Sequence, residues 1–225
     1  MTDSFTETDL QPKPVRAAEL AAYLAARMCH DFISPASAIV SGLDLLDDPT
    51  AQDMREDAMG MIASSARKLA GLLSFTRVAF GASASAETFD ARVLEDLTRD
   101  VFAHMRAELD WQVTPAAINK PGARTLLNLA QLAGAALPFG GVTQVRGVEN
   151  AGALTLAIEA MGPKARLRPV VLGGLRGEGP AEGLHGHWVQ AYYLHLLVTD
   201  AGGKVFAGAT DEKVTFAAII PAAPA

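Results

Sequence analysis

The sequence contains very little cysteine and few aromatic residues. Its 225 residues include one cysteine, Cys29, and aromatic side chains make up 6% of the chain. A single thiol cannot form an intramolecular disulfide, and it is typical of proteins in the reducing cytosol. Half of the residues are hydrophobic. The composition therefore still supports a packed core, in one large domain or two small ones.

The sequence also lacks an excess of positive charge and long apolar runs. The net charge of −6 does not favour binding to nucleic acid or to an anionic membrane. No apolar run reaches the roughly 18 residues of a membrane-spanning helix. Residues 1–11 are acidic and polar, without the basic and apolar regions of a signal peptide. We therefore predict a soluble, cytoplasmic protein with a disordered tail at residues 1–12.

Residues 13–80 show the pattern of two amphipathic helices. Apolar residues recur at spacings of three and four from Leu20 to Leu46, and again from Met54 to Thr76. Thr50 is expected to cap the second helix. Helices joined by so few residues pack antiparallel. Their wide apolar face predicts a homodimer that forms a four-helix bundle, and the alternative is that the second half of the same chain covers this face.

The first helix contains a compact group of reactive residues, from Cys29 to Pro35. At about 100° per residue, Cys29 falls towards the apolar centre, whereas His30 and Asp31 lie on opposite flanks. We therefore predict that His30 is exposed and that Cys29 is packed as a small hydrophobe. The residues that share a polar strip with His30 are Arg27, Ser34, Ser37 and Ser41.

Residues 87–225 alternate between helical and strand patterns, after an Ala/Ser-rich linker at residues 81–86. This order predicts an α/β sandwich, with helices packed on one face of a mixed sheet. The predicted helices are those capped by Asp90 and running to Met105, from Arg124 to Leu137 and from His187 to Thr199. The predicted strands are 87–89, 111–114, 142–148, 154–160, 204–207 and 213–220. Residues 164–183 are expected to be irregular.

The segment His30-Asp31-Phe32-Ile33-Ser34-Pro35 resembles the phosphoacceptor box of sensor histidine kinases. The hairpin is similar to their dimerisation and phosphotransfer domain, and the second half looks like their ATP-binding domain. The segments that carry the second likeness are 126–133, 188–205 and 214–221. The resemblance covers residues 14–221. It implies an α+β two-domain protein: an N-terminal helical hairpin forming a dimeric four-helix bundle, followed by a histidine-kinase ATPase-like α/β sandwich.

The nucleotide-binding motifs of these kinases are not matched. The kinases hold magnesium with an asparagine where this chain has Leu132, and they bind adenine with an aspartate that is missing from Leu172-Gly173-Gly174-Leu175. Their phosphate loop is replaced by Gly183-Leu184-His185-Gly186-His187. A nucleotide site needs a cation ligand and closely approaching backbone donors. We therefore predict a degenerate domain that binds neither ATP nor metal and does not support autophosphorylation.

An acceptor histidine beside a degenerate ATP-binding domain is similar to the histidine phosphotransferases of alphaproteobacterial phosphorelays. The resemblance implies that His30 accepts a phosphoryl group from the receiver aspartate of a CckA-like hybrid kinase. It then passes the group to CtrA-like and CpdR-like response regulators in cell cycle regulation, with Mg²⁺ supplied by the receivers. Asp31 would orient the His30 ring, and Arg27 would stabilise phosphohistidine or a receiver carboxylate. The serines Ser34, Ser37 and Ser41 would line the docking site.

Two other functions stay open at the level of the sequence. One is a true kinase with unrecognised nucleotide motifs, and the other is a dimeric adaptor that binds receivers while His30 is idle. The remaining histidines are predicted to be a surface residue (His104), a structural residue (His195) and a weak candidate metal pair (His185 and His187). The arginines Arg166, Arg168 and Arg176 are expected to lie in a solvated loop.

Overall fold

The computed structural model describes residues 15–81, 87–180 and 186–221. The N-terminal part is the predicted antiparallel hairpin, with α1 at Ala17–Asp47 and α2 at Arg55–Ala79. A short 3₁₀ turn, Gln52–Met54, lies between them. The predicted tail at residues 1–12 and all of the predicted linker except Gly81 lie outside the described residues.

The connection between α1 and α2 differs from the prediction at Thr50. This residue does not cap α2, whose N-cap is Met54. Instead, its backbone N and its Oγ1 both donate to Oδ1 of Asp48, at 2.8 Å and 2.7 Å. These bonds lower the pKa of Asp48 below its ordinary value, because they stabilise the ionised carboxylate. The polar side chains are therefore used to close the turn and not to begin the helix.

The C-terminal part is the predicted mixed sheet with helices. Its elements in chain order are β1 Thr88–Asp90, α3 Ala91–Phe102, β2 Ala107–Val113, β3 Ala117–Asn119, α4 Lys120–Ala135, β4 Gly141–Asn150, β5 Ala153–Met161, α5 Pro169–Leu175, α6 Gly186–Asp200, β6 Lys204–Thr210 and β7 Lys213–Pro221. The main sheet has the order β2-β4-β5-β7-β6, in which only β2 and β4 are parallel. Strands β1 and β3 form a small antiparallel pair.

Local signals explain where several of these elements begin and end. Asp90 caps α3 as predicted, since its Oδ1 accepts a hydrogen bond from the backbone N of Arg92 at 2.8 Å. The Oδ1 of Asn119 caps α4 in the same way, accepting from Gly122 N at 2.9 Å. After α6, Gly202 has a φ of +69°, a left-handed conformation that glycine adopts without steric cost. The predicted end of this helix is confirmed.

The prediction was wrong for residues 164–183, which contain the helix α5. Pro169 occupies its first turn, where no backbone donor is needed. Glycines normally weaken a helix. In α5, however, a Cβ on Gly174 would come within 2.8 Å of both the Ala191 Cβ and the Trp188 carbonyl. Close packing on α6 therefore offsets the poor intrinsic propensity of this segment.

Two smaller boundaries also differ. Helix α3 ends at Phe102, before the predicted Met105, and β2 begins at Ala107 and not at Trp111. Strand β3 was not predicted. Both β2 and β3 are ordered by pairing with strands distant in sequence, which local patterns do not encode.

The main core lies between α4 and one face of the sheet. Leu126, Leu127 and Leu129 of α4 are fully buried. Alternate residues of β5 and β7 face them, including Ile158 and Phe216. Each such side chain contributes about 1.5–3 kcal/mol through burial. This core holds the sheet and its helices together.

The hairpin is attached to the C-terminal part at both of its helices. Phe75, Val78 and Ala79 near the end of α2 belong to the main core. The start of α1, including Leu20 and Tyr23, packs on α6 in a second cluster. The second half therefore covers the open end of the hairpin but leaves part of its apolar face exposed.

Cys29 does not pack in the core as predicted, because its side chain is exposed. The half-buried and buried face of α1 runs through Met28, Phe32 and Pro35. At about 100° per residue, Cys29 lies well off that line. Among the described residues, no helix combines the length and the apolarity needed to cross a membrane.

Candidate functional site

The acceptor-like box lies in the middle of α1, which continues through Pro35. Proline has no backbone N–H, so the carbonyl of Asp31, four residues earlier, lacks its helical donor. The Pro35 side chain is buried. The proline therefore loosens main-chain bonding next to His30 without ending the helix.

His30 is highly accessible, with 85% of its side chain exposed, whereas Asp31 beside it is 36% exposed. Its Nδ1 lies 3.4 Å from Oδ1 of Asp31. A carboxylate can only accept, so this contact favours the tautomer that carries the proton on Nδ1. The lone pair of Nε2 is then free to act as a nucleophile. This is the geometry of an imidazole prepared to act as a nucleophile towards a large partner.

Asp31 is also held by Arg27, one turn earlier on α1. The Nε of Arg27 lies 3.5 Å from Oδ2 of Asp31. The Arg27 side chain is only 11% exposed, and its Nη1 donates to the carbonyl of Gly186 at the start of α6. Burial lowers the pKa of Arg27 from its ordinary value, and Asp31 opposes this effect. Arg27 therefore does not belong to the exposed polar strip predicted for it with His30 and the serines, because its side chain is buried against Asp31 and Gly186.

The start of α6 adds a second histidine to the site. His187 is half-buried, and its pKa is lowered to about 4 by burial and by the nearby charges of Arg27 and Arg168, with Asp31 acting in the opposite direction. The imidazole of His187 is therefore neutral at physiological pH. It places an uncharged ring, and not a second cation, beside Asp31.

These residues surround an open cavity of about 420 Å³ between α1 and α6. Helix α1 contributes Tyr23, Ala26, Arg27, His30 and Asp31, and α6 contributes Gly186, His187 and Val189. Within the described ranges, no cluster of three or more His, Cys, Asp or Glu side chains could hold a metal ion. The cavity presents two imidazole rings, one buried cation and one carboxylate.

The three predicted docking serines are exposed on α1. Ser34, Ser37 and Ser41 follow His30 at intervals of four, seven and eleven residues, and each is accessible. These intervals keep them on one strip of the helix surface. The structure therefore places them on the same exposed strip of α1 as His30, and their docking role stays a prediction.

The residues at the nucleotide-binding positions of kinases are used internally. Leu132 is 3% exposed, and the cavity between it and Arg168 has a volume of only about 10 Å³. Asn128 is buried; its Nδ2 donates to the carbonyls of Ala79 and Arg124, and its Oδ1 accepts from Gln190. Ligand pockets occupy about 300–1,000 Å³, so this region is packed and not concave.

The other histidines agree in part with their predictions. His104 is exposed, just after α3. His195 is structural, since its Nδ1 lies 2.9 Å from the carbonyl of Leu175. His185 of the weakly predicted metal pair lies outside the described residues, as do Gly183 and Leu184. Arg168, expected in a solvated loop, is half-buried at the start of α5.

Sequence reasoning missed the contribution of Gly186 and His187 to the site. Arg27 and Gly186 are 159 positions apart in the chain. The only local signal was a histidine at the start of a predicted helix, which is equally common at a surface. No periodicity connects this helix start to α1, so the contact could be found only in three dimensions.

Comparison with known proteins gives one consistent family. A family model described as the histidine phosphotransferase C-terminal domain matches residues 91–213. The protein phosphotransferase ChpT of Brucella abortus (strain 2308) is 36% identical over 208 residues, covering 92% of this chain and 98% of that protein. A bacterial phosphotransferase solved at 1.7 Å is 34% identical, with a TM-score of 0.82, covering 92% of this chain and 98% of its own.

Proposed function

The chain belongs to the histidine phosphotransferase family, and on that premise we propose that His30 is the residue that carries the phosphoryl group between receiver domains. It accepts the group from the aspartyl phosphate of a hybrid kinase receiver and passes it to response regulators. The observation that carries this proposal is the His30 side chain, which is 85% exposed and whose Nδ1 lies 3.4 Å from Oδ1 of Asp31. CckA-like, CtrA-like and CpdR-like proteins are the proposed partners.

The accepting step is a displacement at phosphorus. The Nε2 lone pair of neutral His30 attacks the phosphorus of the receiver aspartyl phosphate, so a P–N bond forms as the P–O bond breaks. The aspartate leaves as a carboxylate with the electron pair. The proton on Nδ1 stays in place, and Asp31 stabilises the positive charge that develops on the ring. No proton needs to leave the site during the step.

The second step reverses the first with another receiver. Its aspartate carboxylate attacks the phosphohistidine, the P–N bond breaks, and Nε2 recovers its lone pair. Phosphoryl transfer depends on positioning and on neutralisation of charge at phosphorus. We expect the receiver domain to supply the Mg²⁺ for this purpose. The 85% exposure of the His30 side chain suits such a reaction, because a whole domain must approach Nε2.

We infer that the chain does not bind ATP. The volume of about 10 Å³ beside Leu132 is too small for a nucleotide. Asn128, one turn before Leu132 on α4, is hydrogen-bonded to Ala79, Arg124 and Gln190, so it is not free to replace the missing magnesium-binding asparagine. Incubation with radiolabelled ATP and Mg²⁺, without any receiver, should leave the chain unlabelled. Label incorporated from ATP alone would establish the kinase alternative.

We further infer a homodimer through the hairpin. Ile33, Val40 and Leu43 of α1 and Met59 and Leu73 of α2 are each about half exposed or more. Ile33 and Val40 are seven residues apart, and Met59 and Leu73 fourteen, so each pair lies on one side of its helix. A second copy packed here forms the four-helix bundle that the hairpin pattern predicts.

The deciding experiment is phosphoryl transfer from a purified receiver domain labelled on its aspartate. The wild-type chain should become labelled with an acid-labile, base-stable phosphoramidate. His30→Gln should reduce labelling to background, a loss of more than about 10³-fold, because the nucleophile is gone. His104→Gln is the matched control, since His104 is exposed and outside the cavity.

Each alternative gives its own result in this assay. Labelling of His30→Gln at the wild-type rate would overturn the assignment of His30. A wild-type chain that binds the labelled receiver but never takes up label would be an adaptor. Passage of label from the purified phosphorylated chain to a second receiver completes the test of the relay.

A further inference from the structure

Arg27 makes two contacts that the transfer chemistry described above does not use. Its Nε lies 3.5 Å from Oδ2 of Asp31, and its Nη1 donates to the carbonyl of Gly186. Only 11% of the side chain is exposed. A guanidinium with these contacts is not free to reach a docked receiver. Its role is therefore to be sought within the chain.

The carboxylate of Asp31 is shared between two neighbours. Oδ1 faces Nδ1 of His30 at 3.4 Å, and Oδ2 faces Nε of Arg27 at 3.5 Å. Adjacent helical residues point about 100° apart, so a contact between His30 and Asp31 requires particular rotamers of both. Arg27 is four residues before Asp31, the spacing at which helical side chains meet. Because the carboxylate is planar, the contact of Arg27 with Oδ2 also limits the directions in which Oδ1 can face His30.

We propose that Arg27 is a positioning residue that acts on His30 through Asp31, and that its bond to Gly186 makes the placement of α6 part of the same control. This proposal rests on the proposed role of His30 as the acceptor. Arg27 holds Asp31 towards Nδ1 and so maintains the tautomer with a free lone pair on Nε2. The C-terminal domain thereby prepares the acceptor histidine without touching it.

Among the described residues, Arg27 is the arginine or lysine that lies within ion-pair distance of Asp31. The described titratable side chains that line the cavity with Asp31 are Tyr23, Arg27 and His30 on α1 and His187 on α6, and Arg168 before α5 acts on His187. His187 has a pKa of about 4, so it is neutral and does not attract Asp31 as a cation would. Burial strengthens the pull of Arg27 on Asp31 because fewer water molecules screen it. Lysine in place of Arg27 would keep the charge but lose the paired donors.

The first test measures the tautomer of His30 directly. In full-length ¹⁵N-labelled protein, ring nitrogen shifts report which nitrogen carries the proton, and His30→Gln assigns the signals. Arg27→Gln should shift His30 towards the tautomer with the proton on Nε2. Arg27→Lys should shift it less. Arg16→Gln is the matched control, because Arg16 lies just before α1 and forms only an exposed ion pair with Glu19.

The second test measures transfer from a labelled receiver. Arg27→Gln should lower the maximal rate by about 10- to 100-fold and leave the receiver concentration at half-maximal rate unchanged, because orientation and not docking is lost. Asp31→Asn should have a similar effect, and the double variant should be no slower than the worse single variant. A merely structural role for Arg27 would not produce this non-additivity.

The outcomes separate the two proposals. Unchanged His30 tautomers in folded Arg27→Gln would overturn the positioning role, as would rate losses that multiply in the double variant. A tautomer shift in a chain that never accepts label would leave the positioning role standing and overturn the transfer function. Circular dichroism and melting curves of each variant confirm that the comparison is made on folded protein.

Discussion

The ring of Tyr23 on α1 meets the ring of Trp188 on α6 edge to face, with centroids 5.8 Å apart and planes at 80°. Tyr23 lies seven residues before His30 on the same helix, and Trp188 lies directly after His187. The contact therefore fixes α1 against α6 beside the cavity. Trp188 is itself anchored, since its Nε1 donates to the carbonyl of Glu178 at 3.0 Å.

Removing this aromatic contact should destabilise the protein. We expect Tyr23→Ala to lower the free energy of unfolding by about 1–3 kcal/mol through lost burial and lost ring contact. Tyr23→Phe is the control, because it keeps the ring and removes only the part-buried hydrogen bond to Glu19. Urea denaturation of both variants measures the difference. Equal stabilities of the two variants would show that the ring contact contributes nothing.

Gly42 allows the two helices of the hairpin to approach closely. A Cβ at this position would lie 2.6 Å from Cγ1 of Ile62 and 3.2 Å from the carbonyl of Ala58. Gly42→Ala should therefore destabilise the protein by about 1–3 kcal/mol, because the helices must separate. Gly60→Ala is the matched control, since Gly60 is exposed on α2 with nothing near its Cβ position. It should stabilise the protein by about 0.5–1 kcal/mol.

Charge on the exposed face of α1 should disrupt the proposed homodimer. Val40 and Leu43 are 57% and 49% exposed. The double variant Val40→Glu, Leu43→Glu should have the mass of one chain by multi-angle light scattering, whereas the wild-type protein should have twice that mass. Val93→Glu on α3 is the control, because Val93 is similarly exposed outside the hairpin. A monomeric wild-type protein at micromolar concentration would contradict the dimer.

His187 should make stability fall in acid. Its pKa is about 4 when folded and close to 6.5 when unfolded, so between these values the unfolded chain binds more protons. The contribution of the neutral His187 to the free energy of unfolding is therefore fully present above pH 6.5 and is lost as the pH falls to about 4. The difference in pKa sets a limit of about 3 kcal/mol, and screening of the half-buried ring lowers it to about 1–2 kcal/mol.

Urea denaturation at about pH 7 and about pH 4.5 measures this contribution. The loss of stability between the two conditions should be smaller in His187→Gln by about 1–2 kcal/mol, because glutamine does not titrate. His104→Gln should behave like the wild-type protein, because His104 is exposed. A loss in His187→Gln equal to that of the wild-type protein would contradict the assigned cause.

Much of the fold follows from local patterns in the chain. The spacing of apolar residues predicts α1, α2, α4 and α6, and alternation predicts β4, β5 and β7. Helix α5 was missed because its glycines are unfavourable in isolation, whereas Gly174 allows close packing against Ala191 and Trp188 of α6. Strands β2 and β3 exist through pairing with distant strands, so their ends could not be read locally.

In the candidate site too, some features follow from local sequence and others depend on contacts between distant residues. Helical geometry places His30 and the serines on an exposed strip, because the direction of each side chain is set by its position in the turn. The same geometry failed for Cys29, which is exposed. Whether Cys29 is buried depends on how wide a strip of α1 is covered by α2. The spacing of apolar residues in α1 does not specify that width.

The amino-acid order alone thus places an accessible histidine and an adjacent carboxylate on one helix, since both follow from rotation about a single axis. The contact of Arg27 with Gly186 joins residues 159 positions apart, and it exists because α6 packs on α1. The low pKa of His187 has the same origin, as it needs burial and two arginines from different elements. The contact and the lowered pKa both require α1 and α6 to pack together. The apolar pattern of one helix shows which of its faces is buried, but not which other helix covers that face.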